Sequence, residues 1–392
     1  MPNFLSAICV HITAMSIKGI SVFAVLICQL TLSPHTHSSV KDRAPFPSGS
    51  SQAISAADKI ELLKPTGPFP IGTMIYEWVD SSRPEQATGK SGEFRQLVVQ
   101  VWYPVGTSVK PKAPYVTKLE AYRHVWEPKD VEVASRVLTH AYLDENPLIS
   151  GHFPVVLFSH GWQGTRTEYT SIAEDLASHG FAVFGIDHPY MGRIALPNGQ
   201  VTEPTEDHFQ SPADIRNYYG QDVRFVIDRI IKLNSGDPDG TFIGKLQVSR
   251  IGVIGHSSGF GAAGTACKID RRIAACANVD GPVSAEDLSG LRQPLLWVRL
   301  ERAGPTPAAF LKNRSEPSYE LLFLHARHGS VEDWDYLEAE SYQQRQSAAD
   351  LLRVLRKYID AFFTEYLQGQ KSALLKQSST NSDMAFKIHA AR

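Results

Sequence analysis

Short apolar runs alternate with amphipathic stretches along most of this chain. The runs are rich in β-branched and aromatic residues, which is typical of buried strands. They lie at 153–159, 181–186, 250–254, 273–279, 294–300 and 319–324. An earlier pair of segments, 71–79 and 96–103, flanks a polar stretch and predicts a hairpin at an edge of the sheet.

Segments with helical spacing of their apolar residues separate several of these strands. Helices are predicted at 168–179, 213–233 and 347–367, and the small-residue stretch 260–266 predicts a closely packed helix. Strands that alternate with helices predict an α/β fold, in which helices cover both faces of a mainly parallel central sheet. Ligands of such sheets bind at the carboxyl ends of the strands.

The folded domain is predicted to span 67–367. Residues 40–66 are expected to form a linker, since Ser, Pro, Ala and Gly dominate its first part, and 368–392 is expected to be a disordered tail. No internal repeat is seen. The segment 114–142 carries several large aromatic residues and is interpreted as an amphipathic helix that packs on the core, with a lid or an interfacial patch as the alternative.

The first 39 residues are interpreted as a targeting segment. Lys18 precedes an apolar run over 19–32, which is too short for a confident membrane span and is typical of a signal peptide. Cleavage is expected between Ser33 and Ser39, and an uncleaved membrane anchor is the alternative. A secreted or periplasmic location follows from the first interpretation.

Composition narrows the function further. The chain has 392 residues and a formal charge of −2, from 39 Lys and Arg against 41 Asp and Glu. Without a basic stripe, nucleic acid is not an expected partner. Beyond the leader only Cys267 and Cys276 remain, and two buried free thiols are favoured over a disulfide because separation along the sequence says nothing about Cα geometry.

The sequence Gly-His-Ser-Ser-Gly at 255–259 follows a predicted strand and precedes a predicted helix. This is the setting of the G-x-S-x-G nucleophile elbow, and it makes Ser257 the candidate nucleophile. Glycine is expected at both ends because a side chain there would strike the neighbouring strand or helix. His256 is interpreted as a packed, hydrogen-bonded histidine whose side chain points away from the substrate.

A serine hydroxyl needs an imidazole to remove its proton and a carboxylate to orient that imidazole. In this kind of site the order along the chain is Ser, acid, His. Asp280 ends the predicted strand 273–279 and is the favoured acid, with Asp287 and Glu301 as alternatives. His328, on a loop beside a glycine, is the favoured base.

Two further expectations complete the catalytic group. His325, at the end of the strand before His328, is interpreted as a packed or surface histidine. Backbone N–H donors for an oxyanion are expected from Ser258, directly after the nucleophile, and from Trp162, in the loop after the strand 153–158. The Trp162 indole is expected either to wall the acyl pocket or to pack as a core aromatic.

These residues resemble the platelet-activating factor acetylhydrolase family, the secreted plasma and intracellular type II lipid esterases with an α/β-hydrolase fold. The similarity runs from about Gly67 to Tyr366. Its motifs are Ile71-Gly72, Val101-Trp102-Tyr103-Pro104, the strand and turn over 153–161, the stretch 175–181, the elbow, Val279-Asp280, and the stretch 328–334.

The resemblance implies a calcium-independent serine esterase that acts on phospholipids with a short or oxidised sn-2 acyl chain. It places Ser257, Asp280 and His328 in the triad and Trp162 and Ser258 at the oxyanion positions. It implies no cofactor and no metal, and it adds a membrane or lipoprotein surface as an expected peripheral contact.

The chain departs from the family pattern at two places. Trp162 replaces a leucine of the mammalian enzymes, and Ser258-Gly259-Phe260-Gly261 replaces an aromatic residue followed by two glycines. An altered pocket leaves open a general carboxylesterase or a polyester or dienelactone hydrolase. A binding module on an inactive hydrolase scaffold is the alternative from another class, and an intact Ser, Asp and His in order argues against it.

Overall fold

A computed structural model describes residues 58–148, 150–236, 240–281, 289–300 and 314–391. The predicted leader 1–39 and the linker as far as residue 57 lie outside the described residues. Within the described ranges, every helix is too short or too polar to cross a bilayer.

The strands of the described chain form one mixed sheet. In chain order they are β1 Ile60–Glu61, β2 Ile71–Pro84, β3 Phe94–Pro104, β4 Lys112–Pro114, β5 Val137–Leu143, β6 Phe153–Ser159, β7 Ala182–Asp187, β8 Leu246–His256, β9 Ile273–Val279, β10 Leu295–Leu300, β11 Ser318–Phe323, β12 Ser379–Thr380 and β13 Met384–His389. The sheet order is β1-β5-β2-β3-β7-β6-β8-β9-β10-β11-β13-β12, and β4 pairs with β5. From β7 through β11 every neighbouring pair is parallel.

Helices cover this parallel region on both faces. The α-helices of the described ranges are α1 Leu119–Tyr122, α2 Pro128–Arg136, α3 Thr170–Ser178, α4 Pro212–Gly236, α5 Ser258–Ile269, α6 Asp333–Leu337 and α7 Tyr342–Phe363. Of these, α3 and α7 lie on one face of the parallel region, and α4 and α5 lie on the other. All of β6 is buried, and its residues alternate between two core clusters. Val156 and Phe158 pack with α3 and α7, whereas Val155 and Leu157 pack with α4 and α5. The predicted α/β fold is therefore confirmed.

The predicted hairpin is present, but it is not at the edge. Strands β2 and β3 pair antiparallel from Ile71 opposite Pro104. Outside β2 lies β5, and outside β5 lies β1. The expectation of an edge hairpin is wrong because the region 112–143 contributes two strands of its own.

Both predicted ends of the domain are corrected. Ordered structure begins before Gly67, since β1 at Ile60–Glu61 pairs with β5. The expected disordered tail instead carries β13, which pairs antiparallel with β11 and buries Phe386 completely. The backbone of β13 pairs with the open side of β11, which would otherwise expose unpaired N–H and C=O groups.

The aromatic segment 114–142 packs into an apolar cluster, as predicted, but it does so as two short helices and a strand and not as one helix. Tyr115 and Tyr122 are 2% and 4% exposed and lie in a small apolar cluster with residues of α2 and β1. Trp126 packs against Tyr122 and Trp334. The last part of the segment is strand β5, which the sequence interpretation did not separate.

The two cysteines of the folded domain form a disulfide, so the preference for free thiols is wrong. Cys267 lies on α5 and Cys276 on β9, with Cα atoms 6.8 Å apart. Helix α5 packs directly against the sheet, which brings its last turn over β9. Both cysteines are buried.

Candidate active site

The turn between β8 and α5 holds Ser257 in a conformation that few residues adopt. Its φ is +53° and its ψ is −129°. A Cβ on Gly255 would lie 2.5 Å from backbone atoms of Gly259, and a Cβ on Gly259 would lie 2.3 Å from the carbonyl oxygens of Ser159 and His160. The two glycines therefore let α5 start against the sheet, and Ser257 stands at its first turn.

Ser257, His328 and Asp280 form one chain of hydrogen bonds. The Ser257 Oγ lies 2.8 Å from His328 Nε2, and His328 Nδ1 lies 2.7 Å from Asp280 Oδ2. A carboxylate accepts only, so Nδ1 carries the hydrogen and Nε2 is free to take the serine proton. The structure thus brings together the three residues that chain order singled out.

Asp280 is fixed by the backbone around it. It follows β9 directly and has a φ of +48°. Its N–H donates to the Val298 carbonyl at 2.9 Å, and its Oδ1 accepts the Leu300 N–H at 3.1 Å. The neighbouring strand β10 therefore aims the carboxylate. The alternatives Asp287 and Glu301 lie outside the described residues.

His328 opens a short 3₁₀ turn over His328–Val331, with the N–H of Arg327 bonded to the Ser330 side chain at 3.1 Å. The imidazole is 55% exposed, so substrate can reach it. The hydrogen bond to Asp280 raises the pKa of His328 above its usual value, and burial opposes that effect. His325 is exposed, in agreement with its interpretation as a surface histidine.

The two N–H groups expected to bind an oxyanion lie beside the nucleophile. Ser258 is the first residue of α5, where backbone N–H groups have no acceptor within the helix. Trp162 follows Gly161, whose added Cβ would lie 3.2 Å from the Cβ of Ser257. The Trp162 side chain is half-buried against the core cluster that includes Phe260. Both predicted readings of this indole, pocket wall and core aromatic, are compatible with that position.

Behind His328 lies a second, buried histidine. The rings of His256 and His328 have centroids 4.7 Å apart, and His256 is 1% exposed. The Tyr169 hydroxyl is 2.7 Å from His256 Nδ1 and 3.3 Å from Glu332 Oε1. Burial, and then the charge of His328, hold the pKa of His256 well below its usual value. His256 is packed and hydrogen-bonded, as its sequence context predicted.

Glu332 adds a carboxyl group to this layer. Burial raises its pKa to about 7, against the opposing influence of His328. No sequence pattern predicted Tyr169 or Glu332 as neighbours of the site. Tyr169 is 87 residues from His256 along the chain, so no local spacing could have joined them.

Comparisons with known proteins find similar ester hydrolases. The family described as "Platelet-activating factor acetylhydrolase, isoform II" matches residues 60–216. A protein of Arthroderma benhamiae named "Probable 1-alkyl-2-acetylglycerophosphocholine esterase" is 26% identical, over 84% of this chain and 94% of that protein. The platelet-activating factor acetylhydrolase of Canis lupus familiaris is 25% identical over 47% of this chain and 49% of its own length. The chain thus spans about half of that mammalian relative.

Among solved structures, a ferulic acid esterase from Streptomyces cinnamoneus is similar. Its TM-score is 0.69 at 29% identity, and the match covers 82% of this chain and 97% of the esterase. Both kinds of relative are ester hydrolases, so the chain is a hydrolase with the fold that the strand pattern predicted.

Proposed function

We propose, from the premise that the chain belongs to the platelet-activating factor acetylhydrolase family of α/β-hydrolases, that it is a serine esterase working through an acyl-enzyme. The observation that carries the proposal is the chain of hydrogen bonds from Ser257 Oγ through His328 to Asp280, at 2.8 and 2.7 Å. It supplies a nucleophile, a base and an orienting carboxylate within contact distance.

In the first half of the reaction, Ser257 Oγ bonds to the ester carbonyl carbon while His328 Nε2 takes the hydroxyl proton. The carbonyl oxygen becomes an oxyanion, which the N–H groups of Ser258 and Trp162 stabilise. Collapse of this intermediate breaks the bond to the leaving alcohol, which receives the proton from His328. The product is an ester of Ser257 with the substrate's acyl group.

In the second half, water attacks the acyl-enzyme. His328 removes a proton from that water, and the same donors stabilise the second oxyanion. Release of the acid returns the proton to Ser257. Asp280 keeps the Nδ1–H tautomer throughout and stabilises the imidazolium that forms in each half.

The proposed substrate is a phospholipid whose sn-2 acyl chain is short or oxidised. The names of the Arthroderma and mammalian relatives support this class. The chemistry uses only groups of the chain, and the proposal includes no calcium requirement. A peripheral contact with a lipid surface belongs to the same proposal.

A short-chain carboxylesterase is the second candidate. It is favoured by the ferulic acid esterase, which matches along 97% of its own length. Relative kcat/KM for a short-sn-2 phospholipid, 4-nitrophenyl acetate and methyl ferulate separates the two. The phospholipid is expected to give the highest value, and a preference for methyl ferulate would assign the second candidate.

Export from the cytoplasm is part of the proposal as well. The leader at 1–39 supports it, and so does the disulfide between Cys267 and Cys276, because disulfides persist mainly in oxidising compartments. An anchored form remains the alternative. Sequencing the amino terminus of the mature protein would distinguish cleavage from anchoring.

The nucleophile is tested by fluorophosphonate labelling followed by peptide mapping. Label is expected on Ser257, and Ser257→Ala is expected to lower kcat by about 10⁴-fold or more with unchanged folding. Activity is expected to survive EDTA. A Ser257→Ala variant with near-normal turnover would refute the proposal, whereas Ser289→Ala, a serine outside the site, serves as the matched control.

A further inference from the structure

The chain holds a second Ser–His–Asp series of hydrogen bonds that substrate cannot reach. Ser159 Oγ lies 2.6 Å from His188 Nε2, and His188 Nδ1 lies 2.8 Å from Asp222 Oδ2. Ser159 is 1% exposed, and the other two residues are 0% exposed. Because none of these three side chains is accessible to substrate, they cannot catalyse the reaction proposed for Ser257. Their position points to a different task.

A buried arginine fixes this series in one protonation state. Arg95 Nη2 donates to Asp222 Oδ2 at 2.6 Å, and its Nη1 donates to the Pro189 carbonyl at 3.0 Å. Burial alone would raise the pKa of Asp222, but the charges of Arg95 and Arg83 and the hydrogen bonds from His188 and Arg95 together lower that pKa. Asp222 is therefore ionised. His188 donates a hydrogen bond to Asp222 from Nδ1 and accepts a hydrogen bond from the Ser159 hydroxyl at Nε2.

The loop that carries His188 also holds His160. The His188 backbone N–H donates to His160 Nε2 at 3.0 Å, so that nitrogen must present a lone pair. The hydrogen of His160 is consequently on Nδ1, which lies 2.7 Å from the Gly161 carbonyl oxygen. Burial, and then the neighbouring His188, lower the pKa of His160 to about 3, so the ring stays neutral.

The Gly161 carbonyl belongs to the peptide group that contains the Trp162 N–H. Besides His160, the Gly164 N–H donates to that carbonyl at 3.1 Å. A trans peptide group is planar, and its C=O and N–H point in opposite directions. Two donors at the carbonyl end of this group therefore set the direction of the Trp162 N–H at its opposite end. Gly161 itself lies against Ser257.

A further backbone contact ties the two loops together. The Gln163 N–H donates to the Met191 carbonyl at 2.8 Å, and Gln163 adopts a φ of +66°. The segment that follows β7 thus contacts the chain on both sides of Trp162, at His160 and at Gln163. This leaves the peptide group between Gly161 and Trp162 little freedom to rotate.

We infer that His160 is a positioning residue of the oxyanion hole, which orients the Trp162 N–H by holding the Gly161 carbonyl. In this inference the buried series Ser159, His188 and Asp222 fixes the loop that holds His160. The inference rests on the proposed function, because it assumes that the Trp162 N–H binds the oxyanion.

The test compares His160→Asn with His160→Gln. The Asn amide nitrogen can replace Nδ1 as donor to Gly161, whereas the Gln side chain reaches only the Nε2 position and can accept from His188. Each variant loses one buried hydrogen bond, so a merely structural role predicts equal effects. We expect His160→Gln to lower kcat for 4-nitrophenyl acetate about 10- to 100-fold more than His160→Asn, with similar KM.

A second measurement isolates the oxyanion. In the thiono analogue of the same ester, sulfur replaces the carbonyl oxygen and accepts hydrogen bonds poorly. The wild-type ratio of kcat/KM for the oxo ester to that for the thiono ester is expected to fall in His160→Gln and to persist in His160→Asn. Equal kcat losses in the two variants, or an unchanged ratio in the Gln variant, would overturn the inference.

Controls separate this inference from the proposed function. His325→Gln changes an exposed histidine and is expected to leave both kinetic constants unchanged. Fluorophosphonate labelling of Ser257 in wild type establishes the proposed function independently of His160. If Ser257 is labelled and the oxo-to-thiono ratio is unchanged in the His160 variants, only the inference fails. If Ser257 is not labelled, both the inference and the proposed function fail. If one His160 variant does not fold, the oxo-to-thiono ratio of the other variant is compared with the wild-type ratio.

Discussion

His328 is the residue at which protonation controls the proposed reaction. It must be neutral to accept the Ser257 proton, so kcat/KM should rise with pH through its pKa. The hydrogen bond to Asp280 raises that pKa, which places the acid limb of the profile above the usual value for histidine, about 6.5.

Asp280→Asn is expected to move the acid limb of kcat/KM to lower pH. The substitution removes the main cause of the raised pKa of His328, and Glu332 remains as a weaker one. It also loses the carboxylate that fixes the tautomer, so kcat should fall by roughly 10⁴-fold. The pH dependence of kcat/KM for 4-nitrophenyl acetate measures both effects. An acid limb that stays in place would show that Asp280 does not interact with the base.

Ser257, Asp280 and His328 were predictable because the first lies in the elbow motif, the second directly follows a recognisable strand, and the third lies in the loop after another strand. The carboxyl ends of parallel strands meet at one edge, so chain order alone implied their proximity. The layer behind them was not predictable in this way. Tyr169 contacts His256, 87 residues away, and His160 contacts His188, 28 residues away, and no local spacing predicts either contact.

At the scale of elements, the start of α5 depends on backbone contact with β6. Gly259 faces the carbonyl oxygens of Ser159 and His160, so the helix can approach only if this position has no side chain. The same contact joins the elbow to the strand that leads into the oxyanion loop. A shift of α5 would therefore move the nucleophile and one oxyanion donor together.

Gly259→Ala is expected to destabilise the protein and to impair catalysis. Its Cβ would lie 2.3 Å from two backbone oxygens, which cannot move as a flexible side chain would. The expected loss is about 1–3 kcal/mol in the free energy of unfolding, with kcat reduced about tenfold or more. Urea unfolding and steady-state kinetics measure these two changes.

Gly264→Ala is the matched control in the same helix. Its Cβ would first meet the Phe260 ring, at 3.2 Å, and a ring can tilt. A smaller change in stability is expected there. Equal stability of the two variants would contradict the claim that the contact of Gly259 with β6 limits how closely α5 can approach the sheet.

The elements that the sequence predicted best are the buried ones. Strand β6 at Phe153–Ser159 and strand β9 at Ile273–Val279 have the bounds that their apolar runs predicted. The misses lie at the margins of the sheet. Strands β1, β5 and β13 are short or half-polar, and pairing with a neighbour, which local pattern does not encode, decides whether they form.

At the scale of the whole molecule, two core clusters pack on opposite faces of the sheet, and the strands of this sheet position the site. The cluster with α4 and α5 contains the disulfide, and the cluster with α3 and α7 includes Tyr169. The catalytic residues come from segments between positions 257 and 328, yet Trp162 and Tyr169 come from the earlier half of the domain. Activity therefore requires that both halves of the sheet assemble.

The disulfide between Cys267 and Cys276 should stabilise this assembly, since it joins α5 to β9 behind the elbow. Cys267→Ala with Cys276→Ala is expected to lower the free energy of unfolding by about 2–3 kcal/mol, because the unfolded chain loses a closed loop. Alanine is chosen in place of serine because serine would leave a hydroxyl group in the core. Urea unfolding with and without reductant measures the effect, and reductant should weaken wild type but not the double variant. Free thiols titrated at both positions in unfolded, unreduced protein from an oxidising compartment would show that the bridge does not form.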